Sequence, residues 1–192
     1  MASARHPIGG KPHRQRGVAL IELLVASSLM TLSIVGLALL QAHARQAELE
    51  SSQHAHALRL LDDLQQRLLA TSSPLSAYLT PTAGLGSGDC PAPGISAASH
   101  DLYDWCRRLQ GHAVLQQQDN HWQPLAGLNG ARGCIERLAE GAYRISIAWQ
   151  SGLALEAPAV SLSCGLGQYD GPAHCSADRC RRVISRRLPG PT

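Results

Sequence analysis

The residue in this sequence most suggestive of chemistry is a solitary acid in an oily setting. Val18 to Leu40 reads VALIELLVASSLMTLSIVGLALL, and Glu22 is its one charged side chain. An ionised carboxylate inside hydrocarbon costs about 2.5–3.5 kcal/mol on insertion scales, so it calls for a partner. Gly17 stands between this run and the basic stretch HRQR, with Glu22 the fifth residue after it. Proteolysis after Gly17 would place a new α-amine on Val18, one helical turn from Glu22, and an amine is the partner the acid lacks. A carboxylate near a helix N-terminus also meets the positive end of the dipole.

A second set of reactive groups is the six cysteines, Cys90, Cys106, Cys134, Cys164, Cys175 and Cys180, all downstream of the apolar run. Outside the cytoplasm such thiols oxidise, and three disulfides would brace a loop-rich domain poor in aromatics. Six thiols allow 15 pairings, so connectivity stays open, with the loop from Cys164 to the Cys175/Cys180 pair favoured as the local closure. His174, Cys175 and Cys180 could instead bind zinc, but paired C-x-x-C motifs are missing and that reading is disfavoured. His54 and His56, two residues apart, fall on different faces of a helix and should not share a metal. There is no G-x-S-x-G, H-E-x-x-H, phosphate-cradling or dinucleotide motif, and the single lysine, Lys11, precedes Gly17. A non-enzymatic chain without metal or cofactor is the expectation.

The elements that must position these groups follow from hydropathy and charge. Twenty-three helical residues span roughly 35 Å, enough to cross a bilayer. Arg5, Lys11, Arg14 and Arg16 precede the run with no acid among them, which puts its N-terminus in the cytoplasm and the rest outside. A cleaved secretory signal fits less well, since the run exceeds an h-region and lacks an A-x-A site. A plain signal anchor fits hydropathy but gives Glu22 no purpose. Beyond Leu40 no proline occurs until Pro74, and Leu58, Leu61, Leu64 and Leu68 form an apolar stripe. The helix is therefore expected from Val18 to about Leu69, roughly 80 Å long, with Gly36 its one glycine and the place where a bend would begin.

Past a Ser/Gly/Pro-rich loop, Asp101–Leu109 reads as a short helix. Tyr143–Gln150 alternates as a strand, with weaker strands at His112–Gln116, Gly133–Arg137, Ala159–Cys164 and Arg181–Ser185. This predicts an antiparallel sheet covered on one face by the leucine stripe. Apolar residues make up 44% of the chain, which excludes disorder along its whole length. Without the four leader cations the remainder carries 13 basic against 14 acidic residues, so a chain-wide nucleic-acid footprint is not expected. Arg179, Arg181, Arg182, Arg186 and Arg187 read as a solvated edge strand and tail, guarded by charge against aggregation.

The string RGVALIELLVA resembles the class III leader junction of type IV prepilins and type II secretion pseudopilins. The resemblance implies that a membrane aspartic peptidase, the prepilin peptidase, removes the basic leader after Gly17 and N-methylates Val18, which stands where phenylalanine is commonest. It also implies that Glu22 neutralises the terminal amine of a neighbouring subunit. Downstream, YDWCRRL, ARGCI, YRISIAWQ, SCG and CRRVI resemble, in order, the minor pilins called type IV pilus modification protein PilV. The fold implied is α+β, a pilin-like long N-terminal helix packed against a small antiparallel β-sheet and held by disulfides. The parts are a leader (1–17), a membrane and filament-core helix (18–40), its amphipathic continuation (41–70) and a periplasmic globular domain (71–192). The function implied is that of a minor pilin, resident in the inner membrane and then the pilus, priming assembly for twitching, adhesion or DNA uptake. Its partners would be other minor and major pilins, the inner-membrane assembly machinery, and lipid before assembly. A type II secretion pseudopilin and a membrane-anchored periplasmic enzyme or binding protein are the alternatives.

Overall fold

A computed structural model of the protein describes residues 18–112, 115–118, 121–124, 127–171 and 173–190. Two compact units divide between Glu48 and Leu49. Helix α1, Val18–Ala70, is α-helical throughout, including at Gly36. Its residues are mostly Ala, Leu, Gln, Glu and Arg, which lose little side-chain freedom in a helix. In the first unit its large apolar side chains, Leu20 through Leu40, are exposed.

The second unit is an α+β domain. Helix α2 is Ala97–Leu109, a hairpin pairs β1 (Leu115–Gln118) with β2 (His121–Pro124), and a three-stranded antiparallel sheet has the order β3 (Arg132–Arg137), β4 (Tyr143–Gln150), β5 (Arg181–Leu188). Helix α2 starts four residues before the expected Asp101, because the Ser96 side chain accepts from the Ser99 amide and caps it. Of the strand expected over His112–Gln116, residues 113–114 lie outside the described residues and His112 sits in a turn.

Side chains alternate across the sheet, and both faces are covered. Ile135, Ile145, Ile147 and Trp149 pack in one cluster with Ala57, Leu60, Leu61, Leu64 and Leu68 of α1 and with Trp105 and Leu109 of α2. The buried stripe differs from the expected one at its first member: Ala57 is inside, whereas Leu58 is 38% exposed. One residue is about 100° of helical rotation, which carries Leu58 off the contact face. Truncating Leu64 to Ala is expected to cost about 2–5 kcal/mol and Leu58→Ala under about 1 kcal/mol. Urea unfolding of the full chain in detergent checks this; equal losses would refute the assigned face.

Polar contacts clamp both flanks of α1. On the α2 side Arg67 lies 3.2 Å from Asp63, 3.1 Å from Asp101 and 3.7 Å from Asp104, while Trp105 Nε1 donates to Leu60 O at 3.2 Å. Burial opposes the Arg67 charge, but the hydrogen bond to Asp101 and the three nearby carboxylates outweigh it and raise its pKa. On the β5 side Arg186 reaches Asp62 at 2.5 Å and also donates to Gln65, and Ser151 Oγ donates to Glu50 at 2.5 Å.

The opposite face of the sheet corrects a further expectation. Ala159–Cys164 forms no strand: Leu162 N donates to Ala159 O and Leu166 N to Ser163 O, turns completed by positive φ at Gly165 and Gly167. The segment between β4 and β5 folds back over the sheet, where Cys164 and Tyr169 pack with Cys134 and Ala148. Arg181 organises this segment and is fully buried, so the reading of it as a solvated cation fails. Its Nη1 donates to Leu162 O (2.6 Å) and Cys164 O (3.1 Å), and its Nε lies 3.2 Å from Asp178. Asp178, at φ 60, accepts in turn from the Gly167 amide at 2.9 Å.

Candidate functional site: an apolar helix with one acid

Helix α1 begins at Val18; Gly17 and the basic residues before it lie outside the described residues. The helix is long and apolar enough to cross a membrane once. Within its apolar run the hydroxyls are already satisfied. Ser27 and Ser28 both donate to Leu24 O (2.9 and 2.8 Å), Thr31 to Ser28 O (2.8 Å) and Ser33 to Leu29 O (2.8 Å). Such back-bonding removes the cost of placing hydroxyls in hydrocarbon.

Glu22 is the exception. It is exposed, four residues from Val18, about 6 Å along the axis, and has no hydrogen bond or ion pair among the described residues. The apolar run Val18–Leu40 thus presents one unsatisfied charge on a surface that is otherwise apolar or internally satisfied. Chemically this arrangement suits pairing with a cation, an attraction that strengthens as the surrounding dielectric falls.

The cysteines form three disulfides, Cys90–Cys106, Cys134–Cys164 and Cys175–Cys180, and none is free. The local closure favoured from spacing, Cys164 to the Cys175/Cys180 pair, does not form. Cys164 lies under the sheet beside Cys134, and Cys175 closes a short ring with Cys180 around Ala177 and Asp178, both at positive φ. Cys90–Cys106 ties the loop after α1 to α2, and Cys134–Cys164 ties β3 to the segment that covers it. In the chain-entropy treatment loops of this length are worth roughly 3–4 kcal/mol each.

His174, Cys175 and Cys180 bring three donor atoms within 4.8 Å of one another. Both sulfurs are spent in their disulfide, so one imidazole is what this group offers a metal. His54 packs edge-on against Trp149, ring centres 6.0 Å apart, and burial together with Arg59 lowers the pKa of His56. The Arg cluster, read from the sequence as a solvated edge strand and tail, had a signal of its partial burial in the alternation of β5: Arg182 and Arg186 share a strand face with Ile184 and Leu188. Burial lowers the Arg182 pKa, which Glu50 partly restores. Comparison with family models, with curated proteins and with solved structures finds no match to this chain.

Proposed function

We propose that this chain is a non-enzymatic minor pilin of the PilV type, inserted in the inner membrane with its N-terminus cytoplasmic, cut after Gly17 and N-methylated at Val18. It enters or primes a type IV pilus with other minor and major pilins through the assembly machinery of the inner membrane. The observation that carries the reading is Glu22: an acid with no partner among the described residues, on an exposed apolar helix, at a fixed offset from a glycine that follows a basic stretch. The α+β domain behind that helix, with its small antiparallel sheet and disulfides, supports the pilin-like part of the reading. In this role the helix supplies packing and register, and the domain supplies specific contacts.

Processing is the direct test. In cells with an active prepilin peptidase, N-terminal sequencing of the purified chain is expected to begin at Val18, and a Gly17→Val chain is expected to retain Met1 or its immediate successor. A wild-type chain that keeps its basic prefix would overturn the proposal.

A further inference from the structure

The last turn of α2 builds a site distinct from the apolar run of α1. The helix ends in a Schellman turn: His112 N donates to Arg107 O (3.0 Å) and Gly111 N to Arg108 O (2.9 Å), with Gly111 at φ 83. This turn folds His112 back beside Arg107, and Tyr103 lies one helical turn before Arg107 on the same face. From the other side the Cys90–Cys106 disulfide and the bond from Gln110 Nε2 to Gly88 O (2.5 Å) hold the preceding loop against the helix, which fixes Asp89 at the rim. The result is a pair of clefts of about 420 and 410 Å³ that share Tyr103, Arg107 and His112.

The charges around this groove are not equivalent. Asp104 is engaged by Arg67 at 3.7 Å and Arg108 by Asp63 at 3.8 Å. Among the described residues Arg107 and Asp89 form no ion pair, although both line the second cleft. An uncommitted guanidinium is a planar fork that takes a carboxylate through two parallel bonds. An uncommitted carboxylate in the same cleft repels a second anion but accepts hydrogen bonds from hydroxyls. The Tyr103 ring, which lines both clefts, gives a flat amphipathic surface. These groups together fit a ligand with a carboxylate at one end and hydroxyls at the other.

We propose that this groove binds a hydroxylated carboxylate of the hexuronic-acid class, its carboxylate on Arg107, its ring over Tyr103 and its hydroxyls toward Asp89 and His112. The walls are built by a disulfide, a cap and backbone bonds, so little ordering has to occur on binding. The site shares no residue with the leader junction or the apolar run.

The test uses the full chain in detergent micelles, titrated by calorimetry and saturation-transfer NMR with sodium glucuronate, glucose and alanine in turn. Saturable millimolar binding of glucuronate is expected, with no binding of glucose at the same concentration. Arg107→Ala is expected to weaken glucuronate by about tenfold or more, and Arg107→Lys, which keeps the charge but loses the fork, by less. Arg107 is exposed, so both variants should melt with the wild type, which separates lost binding from lost folding. Absence of saturable glucuronate binding, equal affinity of the wild type and Arg107→Ala, or preference for alanine, which would make the ligand a simple zwitterion, each overturns the proposal.

Discussion

A chain carrying Glu22→Gln is expected to be inserted and cut after Gly17 as the wild type is, yet to reach the filament fraction at a level reduced at least about tenfold. Under the proposed function cleavage would depend on the junction, whereas Glu22 lies inside the apolar run and would act once the amine exists. Two unit charges at 4 Å attract by about 4 kcal/mol at an effective dielectric of 20, and tenfold in an equilibrium needs only about 1.4 kcal/mol. Gln keeps the shape and hydrogen-bonding length of Glu, so a loss isolates charge from packing. Glu22→Asp keeps the charge on a shorter arm and should fall between. The measurement is an immunoblot of sheared filaments against whole cells, with intact mass of the cell-bound chain to confirm processing and to read N-methylation. Wild-type filament levels with Glu22→Gln would remove the role assigned to the acid while leaving the leader junction untouched.

The second large effect is on folding. Gly133→Ala is expected to destabilise the second unit by about 3 kcal/mol, at the upper end for an overpacked core, and to lower the melting temperature by roughly 6–12 °C. A Cβ built on Gly133 would stand 2.2 and 2.5 Å from two carbons of the Trp105 ring and 2.7 Å from a Leu109 methyl carbon. Neither neighbour can yield, since Trp105 and Leu109 are fully buried and the Trp105 indole is tied to the Leu60 carbonyl. At this point α1, α2 and β3 meet, and the absence of a side chain on β3 is what lets the indole lie between them. Gly152→Ala, whose Cβ would meet nothing within 4 Å, is the control and should shift stability by under about 0.5 kcal/mol. Combining Gly133→Ala with Trp105→Phe should recover part of the loss, because the smaller ring vacates the contested space. Thermal unfolding of the full chain followed by tryptophan fluorescence measures all three. A Gly133→Ala protein melting with the wild type would show that the indole does not occupy this position.

Legibility in the sequence followed the range of the interaction that fixes each feature. Helix α1 and strand β4 are written in local periodicity, and Tyr143–Gln150 occupies the limits that its alternation marks. Strand β5 was recognised at its start but runs on to Leu188, because the ladder with β4 continues as far as Leu188 opposite Tyr143. Ala159–Cys164 alternates in the same way and forms no strand, since its amide bonds close locally and its cysteine is drawn to Cys134. Periodicity states that a segment could pair; it cannot state that a neighbour has a free edge to offer.

In the candidate site the same division holds. Glu22 and the apolar run stand out from the sequence because a lone charge in hydrocarbon is improbable whatever surrounds it. The groove at the end of α2 was invisible, although Gly111, Cys90 and Cys106 are present in the sequence, because it needs a helix cap and a disulfide to bring distant residues to one rim.

What the sequence determined by itself was the long helix, the apolar run that opens it with a single acid, and the α+β character of the body, all properties of neighbours within a few residues. Only the tertiary structure decided which cysteines pair, which leucines turn inward, and that Arg181 lies in the interior bonded to two carbonyls and near Asp178. Those outcomes depend on contacts between residues far apart in the chain, where burial of a charge or a sulfur is settled by the partner it meets.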